Sequence, residues 1–127
     1  MIELSAVLNP SAKSPAASAE RPIDLVHLSR MTLGDRSLER EVLALFDRQA
    51  AMLIARMREV APNAVSAVAH TLKGSARGIG AWRVAHAAET VELATPAGES
   101  DVRVALADLS AAIDEVHGVI AELLRAH

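Results

Sequence analysis

The sequence predicts an all-α fold, an antiparallel four-helix bundle with an additional short N-terminal helix. Apolar residues make up 51% of the 127 residues, which is enough for a core, whereas aromatic residues make up only 2%. Together with abundant alanine, this composition favours closely packed helices over strands. Apolar side chains also recur at helical spacing in successive segments joined by short connections, which is typical of an antiparallel bundle.

The N-terminal part of the chain differs from the rest. Residues 1–20 are rich in Ser, Ala and Pro and show no sustained apolar period. We therefore predict a flexible tail over 1–20 and one folded domain over 21–127. A short first helix is expected where Asp24 can act as its N-cap, and Gly34 is expected to end it. Its apolar side would carry Leu25, Leu28 and Met31.

A long second helix is expected to start at Asp35 or Ser37 and to end before Pro62. Charged side chains occupy much of its length, which indicates an amphipathic helix with one buried face. Gln49 is placed at the edge of the apolar stripe. The residues assigned to this stripe are Leu38, Val42, Phe46, Leu53, Met57 and Val60.

Two further helices follow with short connections. The third helix is predicted over about residues 63–79, with Gly78 and Gly80 closing it. The fourth helix is predicted over about residues 81–94, where Thr95-Pro96 provides the stop. Its inward side would carry Val84, Ala88 and Val91.

The last helix is expected to take Ser100 as its N-cap. Its apolar residues alternate spacings of four and three, a period near 3.5 that indicates packing against nearly parallel neighbours. These residues are Val102, Leu106, Leu109, Ile113, Val116, Ile120 and Leu123.

The third helix carries an unusual polar face. At ~100° per residue, His70 lies opposite an apolar strip, and Lys73, Gly74 and Arg77 lie beside it. Glycine costs about 1 kcal/mol of helix propensity relative to alanine, so a plain surface would not favour Gly74 one turn from the histidine. The apolar strip is formed by Val65, Val68, Leu72, Ser75 and Ile79.

Several uses of His70 can be compared. A metal site would need further ligands at suitable spacing, and no other histidine is placed to supply one, so no metal is expected. The sequence holds no hydrolase nucleophile motif, no nucleotide-binding loop and no cysteine. The other histidines, expected to be surface or rim residues, are His27, His86, His117 and His127.

Phosphoryl acceptance fits the residues that are present. A neutral imidazole is nucleophilic near neutral pH and can take a phosphoryl group on nitrogen. Lys73 can neutralise the phosphoryl oxygens, and Arg77 can add a second cation or pair with an acidic partner. If the chain reverses at Gly80, Glu92 falls near the height of His70 and can orient the imidazole, with Glu89 as a less suitable substitute.

These residues resemble the histidine phosphotransfer (HPt) domain family. The resemblance rests on Ala69-His70-Thr71-Leu72-Lys73-Gly74-Ser75-Ala76, on the following Ile79-Gly80-Ala81, and on the later Glu92. Its helix order extends over about residues 22–125, whereas the specific motif lies within 69–92.

The resemblance implies roles for individual residues. His70 would carry the phosphoryl group, Lys73 would steady it, Gly74 would give the partner access, and Glu92 would bond to the histidine. Arg77-Gly78 departs from the family's usual small or amide residues. This departure leaves open the charge preference for partners, and it offers an earlier end of the third helix as an alternative to the end at residue 79. The expected partner-docking residues are Ser75, Arg77 and Gly78.

The implied function is that of a phosphotransfer protein in a multistep phosphorelay, without kinase activity or a cofactor of its own. Receiver domains are the expected partners, with a hybrid histidine kinase as a further candidate and magnesium bound by the receiver. Two alternatives stay open: a helical adaptor that binds or sequesters a response regulator without phosphorylation, and a fragment of a chemotaxis-type kinase.

Composition and charge limit the classes of partner and the cellular compartment that we expect. A formal net charge of −3 gives no global basic field, so nucleic acid is not an expected partner. No apolar run approaches the ~20 residues of a membrane helix, so no membrane association is expected. The absence of cysteine and of a basic signal-peptide start favours the cytoplasm, and a monomer is the expected state.

Overall fold

The computed structural model describes residues 21–126, and it confirms the predicted antiparallel four-helix bundle with a short helix before it. Helices α2 to α5 each pack against two neighbours, and α2 and α5 close the bundle. No strand occurs between residues 21 and 126, and the predicted tail over 1–20 lies outside the described residues. The helices are α1 (Leu25–Met31), α2 (Arg36–Glu59), α3 (Pro62–Ile79), α4 (Trp82–Ala94) and α5 (Glu99–Arg125), with a 3₁₀ turn at Thr95–Ala97.

Side chains and backbone conformation fix the helix ends. The carboxylate of Asp24 caps α1 by accepting from the backbone N–H of His27, and Asp35 caps α2 by accepting from that of Leu38. Gly80 ends α3 in the left-handed conformation with φ 83°, which glycine adopts without steric cost. These three positions confirm the predicted starts of α1 and α2 and the predicted reversal after α3.

The third helix ends at Ile79, as predicted, and Gly78 lies inside it, so the alternative of an earlier end does not occur. One predicted boundary is wrong. Ser100 is not the cap of α5, because Gly98 takes the N-cap position and Ser100 lies in the first turn. The 3₁₀ turn explains this error, since it brings the chain to Gly98, whose φ of 127° allows α5 to start immediately.

The buried face of α2 is rotated from the prediction. Phe46 and Met57 are buried as expected, but Leu38 is 41% exposed, whereas Val42 is only partly buried. Because α2 packs against both α3 and α5, Ala50 and Ile54 face the core. The buried side chains of α2 are Leu43, Phe46, Ala50, Ile54 and Met57.

The short helix α1 also buries less than predicted. Leu28 is buried, but Leu25 and Met31 are 44% and 58% exposed. The side chains of Ile23 and Thr32, on either side of the helix, are buried instead. Because α1 has only two turns, it buries one side chain in the core. The residues just before and after the helix supply the other buried side chains.

A polar contact holds α1 against the turn between α3 and α4. Trp82 Nε1–H donates to Asp24 Oδ2 at 2.9 Å, and the Trp82 ring meets the edge of His27 at 4.9 Å. The backbone N–H of Asp24 donates to the carbonyl of Gly80 at 2.9 Å. Trp82 is therefore a packing residue at the turn, and α1 is fixed beside the C-terminal end of α3.

The core lies at the centre of the bundle and receives side chains from α1 to α5. Every apolar residue predicted for α5 is buried or packed against this core. Within residues 21–126, no helix is both long and apolar enough to cross a bilayer. The largest fully buried side chains are Leu28, Met57, Leu72, Leu109, Ile120, Val84, Val91 and Val116.

Candidate functional site

The face of α3 that carries His70 points away from the core. The His70 side chain is 69% exposed. Its neighbour Ala69 is fully buried, so the boundary between core and surface passes directly beside the histidine. The buried residues of α3 are Val65, Ala69, Leu72, Ala76 and Ile79.

Glu92 of α4 binds one nitrogen of the His70 ring. The Nδ1 atom of His70 lies 2.9 Å from Oε2 of Glu92. A carboxylate only accepts hydrogen bonds, so this contact requires the proton to be on Nδ1. Nε2 then keeps its lone pair, and no hydrogen bond within residues 21–126 occupies it. The arrangement presents Nε2 as an exposed nucleophile.

Lys73 binds the other oxygen of the same carboxylate. Its Nζ lies 2.6 Å from Oε1 of Glu92, and only 14% of the lysine side chain is exposed. Partial burial works to raise the pKa of Glu92, but the hydrogen bonds from Lys73 and His70 and their charges outweigh it and lower that pKa below 4.5. Glu92 is therefore a carboxylate at neutral pH, shared by both side chains.

Gly74 and Gly78 leave open space beside the histidine. A Cβ atom added at either position would meet no heavy atom within 4 Å. Close packing against the described residues 21–126 therefore does not explain Gly74, and the free space lies on the outer surface of α3. Gly78 also accepts a hydrogen bond on its carbonyl oxygen from Nε2–H of His27 at 3.2 Å.

The remaining predicted site residues lie in different environments. Arg77 is about half exposed, and its guanidinium is 4.0 Å from Oε1 of Glu89. This long contact leaves the charge available at the surface. Glu89 therefore stands opposite Arg77 and does not replace Glu92 at the histidine. Ser75 is half-buried on the flank of α3, whereas Gly74 is exposed.

Exposed apolar residues lie on α2 and α4, the two bundle helices that pack against α3, and the sequence pattern did not identify them. Leu93, beside Glu92 on α4, is 73% exposed, and Met52 and Leu45 on α2 are 66% and 59% exposed. Met52 and His70 are equally far from the turn between α2 and α3, so the helical rise places them at the same height. The heptad spacing of Leu38, Leu45 and Met52, separate from the buried stripe, was the available signal.

The other histidines do not converge on His70. His86 is exposed on α4, and Nδ1 of His117 on α5 lies 2.8 Å from Oδ1 of Asp47 on α2. His127 lies outside the described residues. From residue 21 to residue 126, no cluster of three or more His, Cys, Asp or Glu side chains is arranged to hold a metal ion.

Comparisons with known proteins agree with this geometry. Residues 41–126 match a family model described as Hpt domain. A solved structure from rice, described as a histidine-containing phosphotransfer protein, matches the fold with a TM-score of 0.75 at 18% identity. That match covers 91% of this chain and 88% of the rice chain. No curated protein matches the chain significantly.

Proposed function

The chain belongs to the Hpt domain family, and from this premise we propose that His70 is the phosphoryl-accepting residue of a phosphorelay. Members of this family are phosphoryl carriers that interact with receiver domains and kinases of two-component systems. In our proposal, His70 takes the phosphoryl group from an aspartyl phosphate of one receiver domain and passes it to the aspartate of another. Residues 21–127 form the unit that does this, and magnesium belongs to the receiver.

The transfer step follows from the state of the imidazole. The lone pair on Nε2 of His70 attacks phosphorus, and the N–P bond forms as the P–O bond to the receiver's aspartate breaks. The electron pair of that bond stays on the aspartate as a carboxylate. The Nδ1 proton remains on the ring, where Glu92 accepts its hydrogen bond and stabilises the positive charge that the ring acquires.

The same hydrogen bond supports the return step. When the aspartate of a second receiver attacks phosphorus, the N–P bond breaks and its electron pair returns to Nε2. Because Nδ1 still carries its proton, the leaving group is a neutral imidazole instead of an imidazolate anion. Glu92 therefore supports loss of the phosphoryl group as well as its acceptance, which a relay requires.

The surface around His70 supports a protein partner. The acceptor atom must enter the pocket of another protein, and the open space at Gly74 permits that approach. Exposed apolar side chains on the two neighbouring helices, Met52 on α2 and Leu93 on α4, are suited to burial at an interface. Arg77 supplies a surface charge for partner choice.

The observation that carries the proposal is the pairing of an exposed Nε2 with a carboxylate-bound Nδ1 on His70. The test uses purified receiver domains from the same organism, charged with acetyl [³²P]phosphate and mixed with this protein and magnesium. We expect an acid-labile label on the wild-type protein and its loss in His70→Gln. The matched control is His86→Gln, which removes an exposed histidine from α4 and should retain the label.

Two results would oppose the proposal. A wild-type protein that takes no label from any receiver would favour the adaptor alternative, provided that receiver binding persists. A label of equal strength on His70→Gln would show that another residue accepts the phosphoryl group.

A further inference from the structure

Lys73 already forms an ion pair with Glu92 in the unphosphorylated protein. The ammonium of Lys73 is engaged with Oε1 of Glu92 at 2.6 Å. Both side chains are largely shielded, with exposures of 14% and 17%. This shielding distinguishes the contact from the exposed pair of Arg83 and Glu115, because solvent weakens ion pairs between exposed side chains.

The carboxylate of Glu92 depends on this lysine. Its Oε1 atom is buried, and the Lys73 ammonium, 2.6 Å away, is the counter-charge that the described residues 21–126 supply to it. The other oxygen, Oε2, is held by His70. Without Lys73, the carboxylate would lose both its charge compensation and the anchor that turns Oε2 towards the imidazole.

The charge of Glu92 creates a conflict at the reacting histidine. A carboxylate beside the ring is useful for holding the Nδ1 proton, but it repels the phosphoryl dianion that must reach Nε2. A cation on the far oxygen removes this repulsion while leaving the near oxygen free to accept from Nδ1. The arrangement of Lys73, Glu92 and His70 meets both requirements.

We infer that Lys73 is a positioning residue that acts through Glu92, neutralising and anchoring the carboxylate so that it can hold the Nδ1 proton of His70 without repelling the phosphoryl group. This inference rests on the proposed function of His70. It differs from a direct role, in which the lysine contacts the phosphoryl oxygens and Glu92 is a separate contributor.

A double-mutant cycle separates the two roles, because only an indirect role makes the effect of Lys73 depend on Glu92. The variants are Lys73→Met, Glu92→Gln and the double variant, measured by the rate of phosphoryl transfer from a ³²P-charged receiver domain. Lys73→Met should slow transfer about 30-fold, since a shielded carboxylate is left unpaired. Glu92→Gln should slow it only about threefold, because the amide oxygen still accepts from Nδ1.

The double variant distinguishes the two roles. With Gln at position 92 there is no carboxylate charge for Lys73 to neutralise. The double variant should therefore accept the phosphoryl group as fast as Glu92→Gln alone, and about tenfold faster than Lys73→Met. The matched control is Arg77→Met, which removes one positive charge from the same face. Arg77→Met should change the transfer rate by the same factor whether residue 92 is Glu or Gln, since the guanidinium of Arg77 is near Glu89 and does not contact Glu92.

A second readout does not require a receiver. In the wild-type protein, NMR should show a slowly exchanging Nδ1 proton on His70, weakened in Lys73→Met and retained in Arg77→Met. Equal rate losses for Lys73→Met in both backgrounds, or an unchanged Nδ1 proton in Lys73→Met, would overturn the inference. If the wild-type protein takes no label but its Nδ1 proton depends on Lys73, the proposed function fails and the positioning role stands.

Discussion

The Nδ1 atom of His70 and the Oε2 atom of Glu92 lie 2.9 Å apart and join α3 to α4. This contact decides which ring nitrogen carries the proton and which one faces solvent. It also links His70 to the neighbouring helix, since α3 and α4 pack closely against each other along the bundle. The proposed chemistry depends on a fixed position of His70, because the acceptor atom must fit into another protein's pocket.

A side chain at position 74 should stabilise the fold but slow phosphoryl transfer. Gly74→Gln places a side chain where a Cβ meets no heavy atom within 4 Å, so the helix gains roughly 0.5 kcal/mol of unfolding free energy. Phosphoryl transfer from a charged receiver should fall at least about tenfold, because the side chain obstructs the centre of the interface.

The control is Gly118→Gln on α5, where a Cβ also has open space. It should stabilise the protein by a similar amount in urea unfolding and leave the transfer rate unchanged. Equal transfer rates for the two variants would show that the partner does not approach along Gly74.

The turn at Gly80 should be far less tolerant of a side chain. A Cβ on Gly80 would lie 3.0 Å from the carbonyl oxygen of Asp24, at a φ of +83°. Strain and crowding together should lower the unfolding free energy of Gly80→Ala by about 3 kcal/mol.

Gly34→Ala is the comparison, because Gly34 has a similar φ of +75° but open space around it. It should lose only about 1 kcal/mol, the cost of the left-handed conformation. Urea unfolding followed by circular dichroism measures both values. Equal losses would mean that the contact between Asp24 and Gly80 does not constrain the turn.

The pair of His117 and Asp47 should make stability depend on pH. The hydrogen bond that His117 donates to the Asp47 carboxylate, followed by the charge of that carboxylate, raises the pKa of His117 above 6.5. A raised folded-state pKa stabilises the protein at pH values below the unfolded pKa, and this stabilisation is lost as the pH rises through the raised value.

His117→Gln should therefore melt at a lower temperature than the wild type at about pH 5.5 and at the same temperature above about pH 8.5. Asp47→Asn should show the same pH dependence, since it removes the other partner of the 2.8 Å contact. A constant difference in melting temperature across this range would contradict the assignment.

Periodicity and capping chemistry were sufficient to predict the helices. Asp24, Asp35 and Gly80 each act at a helix end as expected, because local hydrogen bonds and backbone conformation decide these positions. Ser100 fails as a cap for the same kind of reason, since the conformation of Gly98 was not readable from residue types. The start of α5 therefore depends on the 3₁₀ turn before it.

The buried face of α2 could not be fixed from the sequence. Leu38, Leu45 and Met52 form an apolar line as regular as the buried one, and only packing against α3 and α5 decides which is covered. The exposed line lies on the outer surface of α2, so the apolar spacing alone does not distinguish the buried side chains from the solvent-exposed ones.

The sequence predicted which residues lie near His70 but only one of the contacts between them. Spacing placed Glu92 near His70, and the structure brings the two side chains together. Spacing also placed Lys73 beside His70, but it could not show that the ammonium binds Glu92, because that choice depends on the position of α4. Side-chain partners across a helix pair are set by tertiary packing and not by the motif.

The ring nitrogen that carries the phosphoryl group shows whether Glu92 directs phosphorylation to Nε2 of His70. The protein, labelled with ¹⁵N-histidine, is phosphorylated by a charged receiver domain and studied by ³¹P and ¹⁵N NMR. We expect a single phosphohistidine, with phosphorus bonded to Nε2 of His70 and a proton on Nδ1. Phosphorus on Nδ1, or on any residue other than His70, would contradict this expectation.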